Sequence, residues 1–206
     1  MTLEGRGVLV VGAASARGRA VALLAAARGA TVVSADEADP GREDDVERAF
    51  AASVARLPRL DVVVHAATDP APRRLVETSL AEWDRAVARA LRAAFLVSRL
   101  ALEEFLAQGQ GGRLVHVAPV VRPGAPGQAL AAASLHALLA LMRSTAKEYG
   151  PRRVACNAVV PVVDDEGERR PAPPTGDPVA EAVLFLASAE ASYVNGEALR
   201  AQCRAT

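Results

Sequence analysis

Short apolar runs rich in β-branched residues alternate along this chain with longer stretches of helical periodicity. Strands of nearly continuous apolar sequence that alternate with helices are typical of a parallel sheet buried on both faces. The pattern predicts strands at residues 7–12, 31–35, 60–67, 112–119, 153–161 and 196–201. It predicts helices near residues 17–28, 43–56, 79–107, 128–149 and 178–188. The predicted fold class is therefore α/β, with a doubly wound parallel sheet.

Length and charge narrow the classes of protein to which the chain can belong. Its 206 residues fit one domain, residues 1–206, and 51% of them are hydrophobic, which is enough for a substantial core. The 24 basic and 24 acidic side chains give a formal net charge of +0 and a pI near 6.8. This balance lacks the basic patch that nucleic acid or an anionic membrane surface requires. We therefore expect neither among its partners.

The remaining composition favours the cytoplasm. Cys156 and Cys203 have no metal-motif spacing, so we expect reduced structural thiols and no metal site. The N-terminus has no basic region followed by a cleavage signal, and no apolar run appears long enough to cross a bilayer. The segment 164–178, rich in proline and charge, is predicted to be an exposed loop.

A glycine-rich turn, VVGAASARGRA (residues 10–20), follows the first predicted strand and opens the first helix. In this context glycines let backbone N–H groups approach a pyrophosphate, and the helix N-terminus offers its positive end. Gly12 and Gly18 hold the outer positions, whereas Ala16 replaces the middle glycine with a crowding methyl group. The candidate cofactor-binding residues are therefore Gly12, Ser15, Ala16 and Gly18. A tight turn without a ligand is the alternative.

Asp36 closes the second predicted strand and is the fifth candidate cofactor-binding residue. A carboxylate there can accept hydrogen bonds from an adenosine ribose and would repel a 2′-phosphate, which favours NAD over NADP. Asp36 also belongs to ADEADPGREDD, a run with six acidic residues, so an exposed acidic loop explains it equally.

Five further segments follow in order along the chain. They are RLDVVVHAA, SLAEWDRAVARALRAAFLVSRLALEEF, GGRLVHVAPVVRPGAPGQALAAAS, STAKEYGPRRVACNAVVP and DPVAEAVLFLASAEASYVNGEAL. Together with the glycine-rich turn they are spaced along the whole chain, and by them it resembles the short-chain dehydrogenase/reductase family. The resemblance implies a Rossmann-like fold and, in active members, NAD(P)-linked hydride transfer.

The resemblance also implies four catalytic positions. In the family a tyrosine transfers the proton, a lysine lowers the pKa of that tyrosine and holds the nicotinamide ribose, a serine positions the substrate oxygen, and an asparagine anchors a water of the proton relay. Here the asparagine position is Ala90 and the serine position is Pro119. The tyrosine and lysine positions are Ala131 and Leu135. None of these side chains can transfer a proton, so we expect no catalytic residue at the family positions.

A shifted alignment does not restore the tyrosine–lysine pair. Neither Tyr149 nor Tyr193 is followed by lysine at the required spacing of four residues. The only lysine, Lys147, has Arg143 four residues before it. The Tyr-x-x-x-Lys motif is therefore absent in every register.

Features that hold the cofactor in the family are altered as well. The family's Asn-Asn-Ala-Gly turn reads HAAT at residues 65–68, and its Pro-Gly after the sixth strand reads Pro161–Val162. Residues 35–60 leave room for one helix, where the family has a helix, a strand and a second helix. We therefore expect about six strands, with one edge strand missing, and either no cofactor or weakly bound NAD.

Three histidines near the family's catalytic centre support a second hypothesis. His65 and His116 lie on neighbouring predicted strands, and His136 follows the lost lysine position, beside Ser134. Imidazole titrates near neutral pH, so these residues could form a rebuilt acid–base site. Hydrogen-bonded structural histidines are the alternative, because no carboxylate is evident nearby to orient them.

The helices through which the family assembles remain strongly apolar. Residues 83–106, and residues 131–142 of the helix at 131–149, are apolar on more than one face, and such helices are buried on more than one side. The resemblance therefore implies a partner that contacts these two helices, with Phe95, Leu138 and Met142 as candidate anchors.

Loss of the catalytic residues with retention of the assembly helices is what a non-catalytic subunit would show. The leading hypothesis is a degenerate subunit that supports an active paralogue, with a carrier protein as a further candidate partner. Heteromeric family members of this kind act in aminocoumarin antibiotic biosynthesis, where they oxidise a carrier-tethered β-hydroxy acyl group. A module that senses a dinucleotide without turnover is the third hypothesis.

Overall fold

A computed structural model describes residues 1–35, 42–66, 71–122, 124–163 and 177–203. Asp36, half of the HAAT segment and nearly all of the predicted loop at 164–178 lie outside the described residues. The strands are β1 (Gly7–Val11), β2 (Thr31–Ala35), β3 (Val62–Ala66), β4 (Gly112–Val117), β5 (Val154–Val163) and β6 (Ala198–Cys203). The helices are α1 (Ala16–Ala27), α2 (Glu43–Val54), α3 (Leu80–Val87), α4 (Ala93–Gln108), α5 (Ala129–Tyr149) and α6 (Pro178–Ala187).

All six strands form one parallel sheet in the order β2-β1-β3-β4-β5-β6. The predicted α/β class and strand number are therefore confirmed. Strand β2 lies at one edge, and among the described residues no strand lies beyond it. This agrees with a sheet shortened at that edge.

The core has two main layers, one on each face of the sheet. Successive strand residues point to opposite faces, so Val8 and Val10 pack with α1 and α6, whereas Leu9 packs with α4 and α5. A third, smaller apolar cluster joins the start of α5 to the segment after β4. That cluster lies where the family resemblance places the catalytic residues.

The predicted single helix at 79–107 is interrupted. Ser79 caps α3 in a capping box with Glu82, and a π-helical turn, Ala88–Arg92, separates α3 from α4. The helix ends at Gly109, whose φ is +70°. The prediction of one continuous helix was therefore wrong at this turn.

Helix α5 is a core helix. Two predictions about it were wrong: that no apolar run is long enough to cross a bilayer, and that Leu138 and Met142 anchor a partner. With the short turn that follows, it spans Ala129–Arg152, which is long and apolar enough by length and composition to cross a membrane. Half of its most apolar window is buried within the fold, so packing against the sheet accounts for that composition. Leu138 and Met142 are 0% exposed inside this core and cannot anchor a partner, whereas Phe95 on α4 is 48% exposed.

Candidate functional site

The sequence-predicted site residues lie at the carboxyl edge of the sheet. In a parallel sheet all strands end at the same edge, and open α/β sheets bind their ligands there. The glycine-rich turn follows β1, His65 lies near the end of β3, and Pro119 follows β4. The fold therefore brings these segments to one side of the molecule.

Packing alone requires both glycines of the turn. Gly12 has a φ of +85°, and a Cβ atom there would lie 2.4 Å from the carbonyl oxygen of Ala66. A Cβ atom at Gly18 would lie 2.3 Å from the carbonyl oxygen of Gly12. Backbone atoms cannot yield to contacts this short, so glycine is needed at both positions with or without a ligand. The two glycines by themselves do not distinguish a dinucleotide site from a bare turn.

Ser15 caps helix α1 and holds the turn together. Its Oγ donates a hydrogen bond to the carbonyl oxygen of Gly12 over 2.8 Å and accepts one from the N–H of Gly18 over 3.0 Å. A side-chain oxygen at this position satisfies one of the free N–H groups of the helix start. The Ser15 hydroxyl is therefore already engaged within the turn.

The turn fits the pyrophosphate group of a dinucleotide only in part. Helix α1 has no acidic residue in its first turn, so its positive end does not repel or mask a negative ligand. Ala16 is exposed there, and its methyl group takes some of the space that a glycine would leave. Gly12, Ser15, Ala16 and Gly18 are the residues that would hold the pyrophosphate. A bound nicotinamide dinucleotide would supply the hydride-transfer chemistry.

The residues that the sequence predicts as counterparts of the family's tyrosine and lysine lie inside the hydrophobic core. Ala131 is 6% exposed and Leu135 is 7% exposed. The other buried members of their cluster are Ala94, Ala118, Val121 and Leu138. Pro119 is buried directly after Ala118. These positions contribute methyl and methylene groups to packing, and none of their side chains donates or accepts a proton.

Ala90, at the asparagine position, lies on the π-helical turn and is 2% exposed. A π-helical turn inserts one extra residue into the helix and occurs frequently at functional sites. The segment Ala-Arg-Ala-Leu-Arg consists of good α-helix formers, so no signal in the sequence predicts the irregularity. The backbone is thus irregular at the family's asparagine position although the side chain is a methyl group.

Two of the three histidines form a buried pair. His65 of β3 lies opposite His116 of β4, and both are 0% exposed. Their Nδ1 atoms are 3.5 Å apart, and their rings meet edge to face with centroids 5.6 Å apart. The Nε2 atom of His116 lies 3.3 Å from Oγ of Ser98, which itself donates to the carbonyl oxygen of Ala94 over 2.6 Å. The Nε2 atom of His65 has no hydrogen-bond partner among the described residues.

These hydrogen bonds assign the protons on both rings. Because the Ser98 hydroxyl donates to a carbonyl, Nε2 of His116 must carry the proton of its contact with Ser98. The Nδ1 atom of a neutral His116 then accepts from Nδ1–H of His65, and Nε2 of His65 is left as a bare acceptor. Burial lowers the pKa of His65 to about 4, and burial together with the charge of His65 lowers the pKa of His116 to about 3. Both rings are therefore neutral at pH 7.

His136 is not part of this pair. It is exposed on α5, and its Nδ1 atom lies 2.8 Å from the carbonyl oxygen of Ala132. Ser134 is only 4% exposed, so the two neighbours face different sides of the helix. The described residues contain no group of three or more His, Cys, Asp or Glu side chains that could hold a metal ion. The three histidines and Ser134 are therefore not brought together as the second hypothesis requires.

Cys156 is a free, buried thiol on β5. Burial raises its pKa to about 12, so it carries no thiolate at neutral pH. Its predicted structural role is therefore consistent with its surroundings. The side chain of Cys203 lies outside the described part of the chain.

This sequence is similar to the sequences of known proteins over most of its length. The family model described as "Enoyl-(Acyl carrier protein) reductase" matches residues 1–169. The 3-oxoacyl-[acyl-carrier-protein] reductase FabG of Thermotoga maritima is 30% identical over 239 positions, which cover 97% of each chain. The (3R)-3-hydroxyacyl-CoA dehydrogenase of Homo sapiens is 31% identical over 236 positions, covering 91% of this chain and 90% of that protein.

A relative of this chain is longer than it, and a solved structure shares its fold. The alignment with the Thermotoga maritima protein has 239 positions and this chain has 206 residues, so at least 33 positions of the relative have no counterpart here. A crystal structure of a short-chain dehydrogenase/reductase from Burkholderia xenovorans superposes with a TM-score of 0.84 at 29% identity, covering 96% of this chain and 95% of that one. The chain therefore belongs to the short-chain dehydrogenase/reductase family.

Proposed function

We propose that this chain is a non-catalytic member of its family and acts as the partner subunit of an active paralogue in a cytoplasmic hetero-oligomer. The observation that carries the proposal is the burial of Ala131 and Leu135 in an apolar cluster. A general acid–base pair needs side chains that can exchange protons and reach the substrate. Methyl and isobutyl groups packed into the core meet neither need.

The same reasoning gives the chain at most a weak affinity for NAD. The Gly12–Gly18 turn and the capped helix start support some contact with a pyrophosphate. The Ala16 methyl group, and the apolar residues where the family holds the nicotinamide ribose, remove other contacts. A dinucleotide would therefore contact only the glycine-rich turn, and the tyrosine and lysine side chains that take part in hydride transfer in the family would be missing.

The surface of α3 and α4 offers apolar side chains to a partner. Trp83 is 38% exposed, Phe95 is 48% exposed and Leu106 is 38% exposed. On α5 the exposed positions include the small residues Ala133 and Ala140, which allow another helix to approach closely. We therefore place the contact on residues 83–106 and 131–149, with Phe95 as its anchor in place of the buried Leu138 and Met142.

The names of the relatives are the basis on which we propose a substrate class for the complex. One of them reduces 3-oxoacyl groups on an acyl carrier protein, and another oxidises 3-hydroxyacyl groups on coenzyme A, according to their names. A paralogue that oxidises a carrier-tethered β-hydroxy acyl group would fit this class of chemistry. Antibiotic biosynthesis is the setting that we propose for it, with the carrier protein as the third component.

Co-expression tests the partnership. A paralogue from the same organism that retains Tyr-x-x-x-Lys is produced with an affinity tag, together with this chain without a tag. We expect the two to co-purify in a fixed ratio and to elute together in size-exclusion chromatography. If this chain is instead a monodisperse monomer at micromolar concentration and the tagged paralogue elutes without it, the proposal is wrong.

A further inference from the structure

A polar cavity lies at the edge of the sheet opposite to the glycine-rich turn. Strands β3, β4 and β5 begin there, and their first residues, Val62, Gly112 and Val154, line it. Its volume is about 410 Å³, which is within the range of small-molecule sites. Because it lies at the amino ends of the strands, it is separate from the candidate site described above.

The charge of the cavity is strongly unbalanced. Its charged lining residues are Arg6, Arg59, Asp61, Arg113 and Arg153. Asp61 is 5% exposed, and its Oδ1 accepts hydrogen bonds from Arg6 over 2.9 Å and from Nε of Arg59 over 3.0 Å. Its Oδ2 accepts from the N–H of Gly7 over 2.9 Å, so both carboxylate oxygens are occupied.

Asp61 is ionised and compensates only one of the four cations. Burial opposes its ionisation, but the Gly7 N–H and the guanidinium groups of Arg59 and Arg6 outweigh this and hold the pKa of Asp61 below its usual value. One carboxylate shared by Arg6 and Arg59 leaves one positive charge on that group of three. With Arg113 and Arg153 the cavity lining carries an excess of three positive charges.

Arg113 is half-buried and makes no ion pair among the described residues. Its guanidinium group donates to the carbonyl oxygen of Ala191 over 3.3 Å. Burial, followed by the charge of Arg6, lowers the pKa of Arg113, while Glu190 acts in the opposite direction. A guanidinium group nevertheless stays charged in proteins. Arg113 is therefore a partly desolvated cation that forms no direct ion pair with the described residues, although the charge of Glu190 acts on it.

Arg153 holds an unusual backbone conformation beside the cavity. Its φ of 64° is the only positive φ of a non-glycine residue in the described part of the chain. Its backbone packs so closely on Gly111 that a Cβ atom there would lie 2.2 Å from the carbonyl oxygen of Arg153. Left-handed conformations favour glycine, and strained residues of this kind cluster at binding sites. The arginine side chain is exposed and has no ion-pair partner among the described residues.

We propose that this cavity binds a small, multiply charged oxyanion, such as the phosphate or pyrophosphate group of a metabolite. Guanidinium groups bind phosphate oxygens through paired, charge-assisted hydrogen bonds. Arg113 supplies a partly desolvated donor among the lining residues, and Arg153 supplies a second, exposed donor.

Calorimetric titration of the purified full chain with pyrophosphate tests this site. We expect wild-type protein to bind pyrophosphate, and R113Q and R153Q each to weaken the affinity about tenfold or more. Arg152 is the matched control, because it is an exposed neighbour that does not line the cavity. R152Q removes the same charge and should leave the affinity within about twofold of wild type. Since Arg153 is exposed, R153Q gives a valid reading even where R113Q perturbs the fold.

The same titration with inorganic phosphate and with adenosine monophosphate separates two sources of the anion. Tighter binding of the ester indicates a phosphorylated metabolite, whereas equal binding indicates free phosphate or pyrophosphate. No binding of any of the three by wild-type protein up to about 10 mM would overturn the proposal. Pyrophosphate affinity that is unchanged in both R113Q and R153Q would overturn it as well, because the anion would then lie elsewhere, for example at the glycine-rich turn.

Discussion

Ala131 and Leu135 stand one helical turn apart on α5 and pack with Ala94, Val121 and Leu138 in a closed apolar cluster. Their chemical nature was evident from the sequence, but their burial was not, because the same residues could have lined an open pocket. Their burial shows that these two residues contribute to packing. Both positions are part of the core, so we expect larger or charged side chains there to disturb its packing.

Replacing Leu135 by lysine is therefore expected to destabilise the fold. An unpaired ammonium group in this cluster should lower the free energy of unfolding by about 3 kcal/mol or more. Ala131→Tyr should cost about 1–3 kcal/mol through overpacking. Urea unfolding followed by circular dichroism measures both changes. Ala140→Lys, at an exposed position of the same helix, is the control and should change stability by less than about 0.5 kcal/mol.

The double variant with Ala131→Tyr and Leu135→Lys tests whether restoring the tyrosine and lysine side chains is enough to restore activity. We expect it to show no NAD(P)-linked turnover, because Ala90 and Pro119 also lack their family functions. A double variant as stable as wild type, with measurable turnover, would contradict this account.

The buried pair of His65 and His116 makes the free energy of unfolding depend on pH. The pKa values of His65 and His116 in the folded protein, about 4 and about 3, lie below the value of about 6.5 in the unfolded chain. The unfolded state therefore binds more protons between pH 6.5 and pH 4, and stability must fall as the pH is lowered through this range. His65 alone should account for a loss of about 3 kcal/mol by pH 4.

Asparagine variants identify the groups responsible for this loss. Unfolding free energies measured from pH 7 to pH 4 should decline less steeply in His65→Asn and His116→Asn than in wild type. His136→Asn should follow the wild-type curve, because His136 is exposed. Curves of equal slope for wild type and both variants of the pair would show that buried imidazoles do not control acid stability.

At the scale of elements, hydrophobic periodicity was sufficient to find every strand of the sheet and the class of the fold. Buried parallel strands leave a strong signal because both faces must be apolar, as in β1 and β3. The π-helical turn at 88–92 leaves none, because its residues favour an ordinary α-helix. The faces of α5 were also ambiguous, because alanine occurs at both buried and exposed positions of this helix and leucine at both buried and half-buried ones. This ambiguity explains why Leu138 and Met142 were assigned to a partner although the core contains them.

The exposed face of α4 makes a testable contribution to assembly. Phe95→Arg should place a charge in the proposed interface and abolish co-purification with the paralogue, while the isolated chain keeps its circular dichroism spectrum. Leu23→Arg is the matched control, because Leu23 is 67% exposed on α1, on the other face of the sheet. Equal recovery of the complex with both variants would exclude α4 from the interface.

At the scale of the whole molecule, the chain keeps the parallel sheet of its family in a shorter form. In the described part of the chain, six strands form this sheet, and the glycine-rich turn follows β1. Ala16 and the HAAT segment predict a reduced cofactor site beside that turn. We expect NAD to bind no more tightly than about 1 mM, or roughly −4 kcal/mol. Calorimetry on the isolated chain measures this affinity. A dissociation constant in the micromolar range would instead favour a dinucleotide-sensing function.

Turnover measurements test directly whether this chain is non-catalytic by itself and supports an active paralogue. NAD(P)H absorbance is followed with a 3-hydroxyacyl thioester and with its 3-oxoacyl counterpart, for this chain alone, for the paralogue with an intact Tyr-x-x-x-Lys, and for their complex. We expect no turnover above buffer for this chain alone, and faster or longer-lasting turnover for the complex than for the paralogue alone. Turnover by this chain alone at about 1 s⁻¹ or more, a rate typical of enzymes, would contradict it.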